Sequence, residues 1–297
     1  MKRETVLISN PNSGRGGQNS VRDEALFCET LRRRGVKIQV LHTKAPNDAE
    51  RYAARSIKQG VRDIIVSGGD GTINEVLQGS VGSDARIAVW PRGTANVFAR
   101  ELQLPFDSEH AAKVIARGIS KPVHIGRATI ERTGEQRFFF LMAGIGLDAS
   151  IVQRVRPRLK RRVGEAAFWY SGLGHLARWQ PVPFGIEIDG HTLDATFAAI
   201  GKAAHYGGKL AITPRADLEK PEFEICIVNS KSRLHFLYLL SQAKRRAGVG
   251  EHIRGVQFMR ATRARVTGDV MVQIDGELTG ELPMTFEIAD SSVEIIC

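Results

Sequence analysis

The stretch Ile64-Ile65-Val66-Ser67-Gly68-Gly69-Asp70-Gly71-Thr72-Ile73-Asn74-Glu75-Val76 joins an apolar run to a helix-like segment through a turn holding three glycines in four positions. An apolar strand that breaks at glycine and restarts as a helix is the repeating unit of a parallel α/β sheet. Glycines at the break let the backbone approach a bulky anion and aim N–H groups at it. The helix that begins there adds a partial positive charge, which favours phosphate. Asp70 has the wrong sign for a bare phosphate cradle. At about 4 Å, two like charges repel by roughly 4 kcal/mol at an effective dielectric of about 20. A carboxylate there works through a cation, which points to a Mg²⁺-nucleotide; the other reading is a glycine-rich turn in which Asp70 caps the helix.

Outward from this turn, strand and helix patterns alternate. Residues 6–9, 37–41, 63–67 and 86–90 read as strands, and 19–34, 46–59 and 72–78 as helices, the first with Val21, Ala25, Cys28 and Leu31 on one stripe. Alternation of this kind predicts a parallel sheet covered on both faces, with ligands bound at the carboxyl ends of its strands. Past residue 122 the pattern changes to strands separated by turns: 123–130, 138–142, 184–189, 195–200, 223–228, 263–267, 270–274 and 284–288. That half predicts an antiparallel sandwich, interrupted by helices near 161–179 and 234–246. The expected architecture is an α/β domain with a parallel sheet over 1–121, a mainly-β sandwich domain over 122–297, and a cleft between them.

Two further loops follow predicted strands. In Ser9-Asn10-Pro11-Asn12-Ser13-Gly14-Arg15-Gly16-Gly17, Asn10, Asn12 and Ser13 offer amide and hydroxyl donors and Arg15 a guanidinium. Pro91-Arg92-Gly93-Thr94-Ala95-Asn96 offers Arg92 and Thr94 in the same way. Arginine suits phosphate because it contacts two oxygens at once. Each loop alone reads as an ordinary surface turn, but three on one sheet edge point to a nucleotide site.

These segments carry a resemblance. NPNSGRGG (10–17), GGDGTINEV (68–76) and PRGTANVFAREL (91–102) are similar to the three nucleotide-site motifs of the diacylglycerol kinase catalytic domain family, which includes bacterial soluble lipid kinases and the related sphingosine and ceramide kinases. The likeness continues through AGIGLDA (143–149), YGGKL (206–210) and QIDGE (273–277), in the family's order. GGDGT alone is shared with NAD kinases and phosphofructokinases, whereas the whole set with QxDGE is far more specific. The resemblance implies an NAD-kinase-like α/β domain, a β-sandwich domain and an active site between them. It implies ATP contacts at Gly68, Gly69, Asp70, Gly71, Thr72, Ile73, Asn74 and Thr94, a further contact at Thr43, and Glu277 as general base. Asp70 and Glu277 are thus the candidate catalytic carboxylates, with Asp275 orienting the turn or a metal. Without the resemblance, Asp275-Gly276-Glu277 reads as a plain β-hairpin turn.

The sequence departs from the family pattern at Val97, where many members have Asp, and in Asp217-Leu218-Glu219-Lys220-Pro221-Glu222-Phe223, where they place an acidic Asp-Gly loop. Those positions help build a structural Mg²⁺ site in some relatives. Val97 cannot bind a cation and Lys220 would repel one, so Mg²⁺ is expected only with ATP.

The net charge of +10 selects for anionic partners without choosing among nucleic acid, lipid and phosphorylated metabolites. Arg154, Arg156, Arg158, Lys160, Arg161 and Arg162 precede Phe168, Trp169, Tyr170 and Trp179, and Lys244-Arg245-Arg246 follows the apolar run 236–240. Both segments read either as solvated faces or as docking on an anionic membrane, where each basic side chain contributes about 1 kcal/mol. A nucleic-acid module would leave the glycine loops unexplained and lacks a recognisable motif, and the β-rich second half argues against a soluble-substrate kinase of the NAD-kinase type. No Walker A sequence, CxxC pair or HExxH is present, so a P-loop enzyme and a structural zinc are set aside. The chain starts directly on a strand-like segment and has no apolar run of spanning length. The expectation is a cytoplasmic protein, peripheral at the inner face of the membrane, with its oligomeric state, dimer included, left open.

Overall fold

The structure is a computed structural model describing residues 4–14, 18–147, 149, 179–207, 210–245 and 247–297. Arg15, the basic stretch 154–162 with its aromatics 168–170, nearly all of the expected helix 161–179, and Arg246 lie outside the described residues. The chain divides into two units, Met1–Val123 with Asp290–Cys297, and His124–Ala289.

The first unit runs β1 (Glu4–Ser9), α1 (Gln18–Arg33), β2 (Lys37–His42), α2 (Asp48–Lys58) and β3 (Asp63–Gly68). It continues through α3 (Asp70–Gln78), β4 (Arg86–Pro91), the short α4 (Val97–Glu101), α5 (Ser108–Arg117) and β5 (Ser120–Val123). Every residue of β3 is buried, as the near-continuous apolar run of a doubly covered parallel strand requires. Strands β1 to β4 pair in parallel in the order β2-β1-β3-β4. Phe27 of α1 stacks on Trp90 of β4 with centroids 4.1 Å apart. The buried stripe of α1 is Phe27, Cys28 and Leu31, while Val21 and Ala25, expected on it, are exposed. The stripe is rotated because Glu24 faces the sheet, accepting from Ser9 Oγ at 2.6 Å and lying 2.8 Å from His42 Nε2.

In the second unit, β6 (Gly126–Ile130), β7 (Gln136–Phe139), β8 (Met142–Ile145), β9 (Phe184–Ile188), β10 (His191–Ala195) and β11 (Phe197–Gly201) are followed by the small pair β12 (His205–Tyr206) and β13 (Leu210–Ala211). Then come β14 (Phe223–Val228), α6 (Arg233–Ala243), β15 (Val256–Ala261), β16 (Arg263–Thr267), β17 (Met271–Ile274), β18 (Glu277–Glu281) and β19 (Met284–Ile288). Two antiparallel sheets result, β10-β9-β16-β19-β6-β7 and β15-β14-β11-β8-β17-β18. Their inward side chains, among them Ile186, Val266 and Phe286 from the first and Ile145, Ile200 and Ile225 from the second, form one core. This is the expected sandwich.

Three expected strands are redrawn. Residues 123–130 split, because Val123 pairs with Val293 in the first unit's sheet while Gly126 begins pairing with Phe139 in the second. Residues 138–142 split between β7 and β8, and 195–200 between β10 and β11. The last strand, β20 (Val293–Ile296), which the sequence division leaves with the second half, lies in the first sheet between β4 and β5. It runs parallel to β4 and antiparallel to β5. Cys28 and Cys226 are buried and Cys297 is half-buried. No helix among the described residues is long and apolar enough to cross a membrane.

Candidate active site

Because β1, β3 and β4 are neighbours in one parallel register, the turns that leave their carboxyl ends come together. Arg92 and Gly93 donate their N–H groups to Gly68 O at 2.8 and 3.2 Å. The β3 and β4 turns then approach so closely that a Cβ on Gly93 would fall 2.4 Å from Gly69 Cα. Gly14, at φ +71°, lies against the β4 turn, where an added Cβ would sit 2.2 Å from Arg92 O. Only hydrogen at these positions allows the three backbones to meet. Asn96 fixes the third turn: in the left-handed conformation (φ 47°), its side chain accepts from Gly93 N and donates to Gly93 O, both at 2.8 Å.

Asn10 organises the first loop. Its N–H donates to Ser67 O at 2.9 Å and its Nδ2 to Thr72 Oγ1 at 3.1 Å, while its Oδ1 accepts from Asn12 N at 3.0 Å and its carbonyl from Ser13 N at 3.1 Å. Thr43 follows β2 and donates its N–H to Ser9 O at 2.9 Å. Gly71 and Thr94 are exposed, and Thr72 is buried. Ile73 points into the core and its N–H is bonded to Gly69 O at 3.1 Å. Asn74 Oδ1 accepts from Gln78 at 2.9 Å. No side chain caps α3 at Gly69.

Asp70 does cap a helix, but not its own. Its two oxygens accept from Val97 N and Phe98 N, each at 3.1 Å, at the start of α4. Burial raises the Asp70 pKa, against the pull of those two amides. Each oxygen keeps acceptor capacity beyond the amide it holds. Among the described residues, no group of three or more His, Cys, Asp or Glu side chains could hold a metal. Arg92 is spoken for: it lies over Trp90, 4.7 Å from the ring centroid, and 3.3 Å from Asp23 Oδ2.

In the second unit, β17 and β18 are joined by Asp275 and Gly276, both at positive φ (48° and 85°), the conformation of a tight hairpin turn. Asp275 holds this turn against the β7–β8 junction, accepting from Phe140 N, Leu141 N and Met142 N at 3.1, 3.0 and 2.9 Å. Gln273, fully buried, accepts from Gly276 N at 2.7 Å. Glu277 emerges exposed beside them. Two positioning residues were missed from sequence. Asn96 had a signal, since Asn tolerates left-handed backbone and mimics a turn. Lys202, buried beside residues 217–222, had none.

Residues 4–128 match the diacylglycerol kinase catalytic domain family, and residues 142–297 match the YegS C-terminal NAD kinase beta sandwich-like domain. A diacylglycerol kinase of Mycobacterium tuberculosis (strain CDC 1551 / Oshkosh) is 27% identical over 301 residues, covering 99% of this chain and 94% of its own. One of Staphylococcus saprophyticus is 28% identical over 303 residues, covering 99% and 95%. A crystal structure from Bacillus anthracis str. Sterne superposes with a TM-score of 0.82 at 24% identity, over 100% of this chain and 96% of the other. A second from that organism, of a diacylglycerol kinase, gives 0.76 at 22%, over 99% and 96%. At such identities the structural likeness speaks for the fold.

Proposed function

Because the chain belongs to the diacylglycerol kinase catalytic domain family, we propose that it transfers the γ-phosphoryl group of Mg²⁺-bound ATP to the hydroxyl of a membrane lipid, with Glu277 as general base. The enzyme is a phosphotransferase with an alcohol acceptor. The observation that carries the nucleotide reading is the close approach of the three turns, Gly93 against Gly69 and Gly14 against Arg92, at the carboxyl ends of neighbouring parallel strands and beside the start of α3. Glycine-rich backbone turns packed this closely beside a helix N-terminus fit a phosphate chain held by backbone N–H groups. Asn10, Asn12, Ser13 and Thr72 bring amide and hydroxyl groups to these turns, and Asp70, which accepts from two amides, has lone pairs left to offer the cation. Mg²⁺ supplies charge neutralisation on the transferring phosphates.

Glu277 accepts the proton that the lipid hydroxyl loses as it attacks. Its position is set by the hairpin that Asp275 and Gln273 anchor. A lipid acceptor is favoured by α6, which buries Phe236 and Leu239 and exposes Leu234, Leu237 and Tyr238 beside Arg233, Lys244 and Arg245. An apolar strip flanked by cations suits docking at the anionic inner face of a membrane. Trp179, one of the aromatics first assigned to that face, is instead buried edge-on against Phe236, with centroids 4.9 Å apart.

Wild type and Glu277→Gln incubated with labelled ATP and a total lipid extract test the reading. Label should enter the lipid phase, and the variant should turn over roughly 10²–10⁴-fold more slowly with ATP affinity nearly unchanged. Label confined to water-soluble products would reject a lipid acceptor, and near-normal turnover in the variant would reject Glu277 as the base.

A further inference from the structure

Lys202 follows β11 directly and is fully buried. Its Nζ donates to Asp217 O at 2.9 Å, to Glu222 O at 3.1 Å and to Lys220 O. All three ammonium protons are thereby used, and all three acceptors are main-chain carbonyls of one loop. Two of the loop's acidic side chains make their own contacts and do not hydrogen-bond the ammonium. Asp217 Oδ1 accepts from Glu219 N at 2.9 Å, its Oδ2 lies 4.0 Å from Lys220 Nζ, and Glu222 pairs with Arg260 at 3.3 Å. A ring of carbonyl oxygens is the surrounding a hard metal cation takes.

We propose that Lys202 is the resident cation of the 217–222 loop, holding it as a bound metal ion would. The structural Mg²⁺ found at this loop in some relatives does not fit here, because the carbonyls that would face it are occupied by the chain's own ammonium. The placement is rigid from the backbone outward. Lys202 N and Ala203 N both donate to Leu141 O, at 2.8 and 3.0 Å. Thr213 Oγ1 donates to Ala203 O at 2.8 Å and packs onto Gly201, where a Cβ would lie 2.1 Å from it. Burying an unpaired ammonium is costly, and burial lowers the Lys202 pKa to about 8, which still leaves it charged at neutral pH. An apolar residue would leave three carbonyls unsatisfied instead.

Thermal melting of the full chain without nucleotide, in EDTA and in millimolar Mg²⁺ or Ca²⁺, should give one melting temperature. A fall in EDTA that either metal reverses would overturn the proposal. Lys202→Met keeps the apolar stem and removes the donors; it should melt lower by roughly 5–10 °C and exchange its 217–222 amides faster while β14 stays protected. Unchanged melting and exchange would also overturn it. Should that variant not fold, wild type labelled with ¹⁵N-lysine should show one ammonium resonance shielded from solvent exchange; lysines that all exchange at the solvent rate would count against it.

Discussion

Gly69 and Gly93 approach until a methyl on Gly93 would collide with Gly69 Cα, whereas Asp275 and Lys202 are fixed by charge, one against three amides and the other against three carbonyls. The first unit brings its turns together by leaving side chains out. The second fixes its turn and loop by setting ions against backbone. The two constructions fail in different ways: the meeting of Gly69 and Gly93 fails when volume is added, and the contacts of Asp275 and Lys202 fail when charge is removed.

The largest effect should come from adding volume. Gly93→Val is expected to weaken ATP binding by roughly 100-fold or more, about 3 kcal/mol, in a chain whose circular dichroism is preserved. Affinity within a few-fold of wild type in that folded variant would break the comparison. Next comes removal of charge in the second unit. Asp275→Ala strands the amides of Phe140, Leu141 and Met142 and should cost roughly 2–3 kcal/mol, read as a melting temperature lower by roughly 5–10 °C, while ATP affinity stays unchanged. A melting curve matching wild type would show that the turn holds without its anion.

The smallest effect belongs to Asp70, a half-buried charge beside the glycine turns. Asp70→Asn should lose one of the two capping bonds to α4, about 1 kcal/mol, and weaken the response to Mg²⁺. Its pH dependence sharpens the point. The Asp70 pKa is raised by burial, so between the ordinary carboxylate range and that raised value the native state holds more protons than the unfolded chain. Stability from this group therefore falls as pH rises through the window, and Asp70→Asn should flatten the slope. An unchanged slope in denaturant titrations across that range would remove Asp70 from the balance.

The same contrast explains what could be read without coordinates. Gly68, Gly69 and Gly93 announce themselves, since a strand that ends in glycine before a helix has few other uses. The strands 223–228, 263–267 and 284–288 were legible to the residue: 263–267 alternates as a strand with one buried face does, while 223–228 is buried throughout and reads as an apolar run bounded by turns. Ion-to-backbone contacts leave no such trace. The acceptors and donors around Asp275 and Leu141 are separated by 134 residues, and any residue supplies an amide. Lys202 is one of 42 lysines and arginines, and its neighbours Gly201 and Ala203 do not mark it as buried. The capping of α4 by Asp70 could not be read, because α4 is five residues long and its N-cap residue, Asn96, gives its side chain to Gly93.

Strand β20 sets an order on synthesis. The ribosome releases β1 to β4 early, yet the partner on the outer side of β4 is β20, which emerges only after the whole sandwich. Until then β4 presents a row of unpaired N–H and C=O groups, and β5, whose own partner in the sheet is β20, has no strand to join. The portion made first is thus completed last, and the nascent chain carries an open sheet edge through most of its translation.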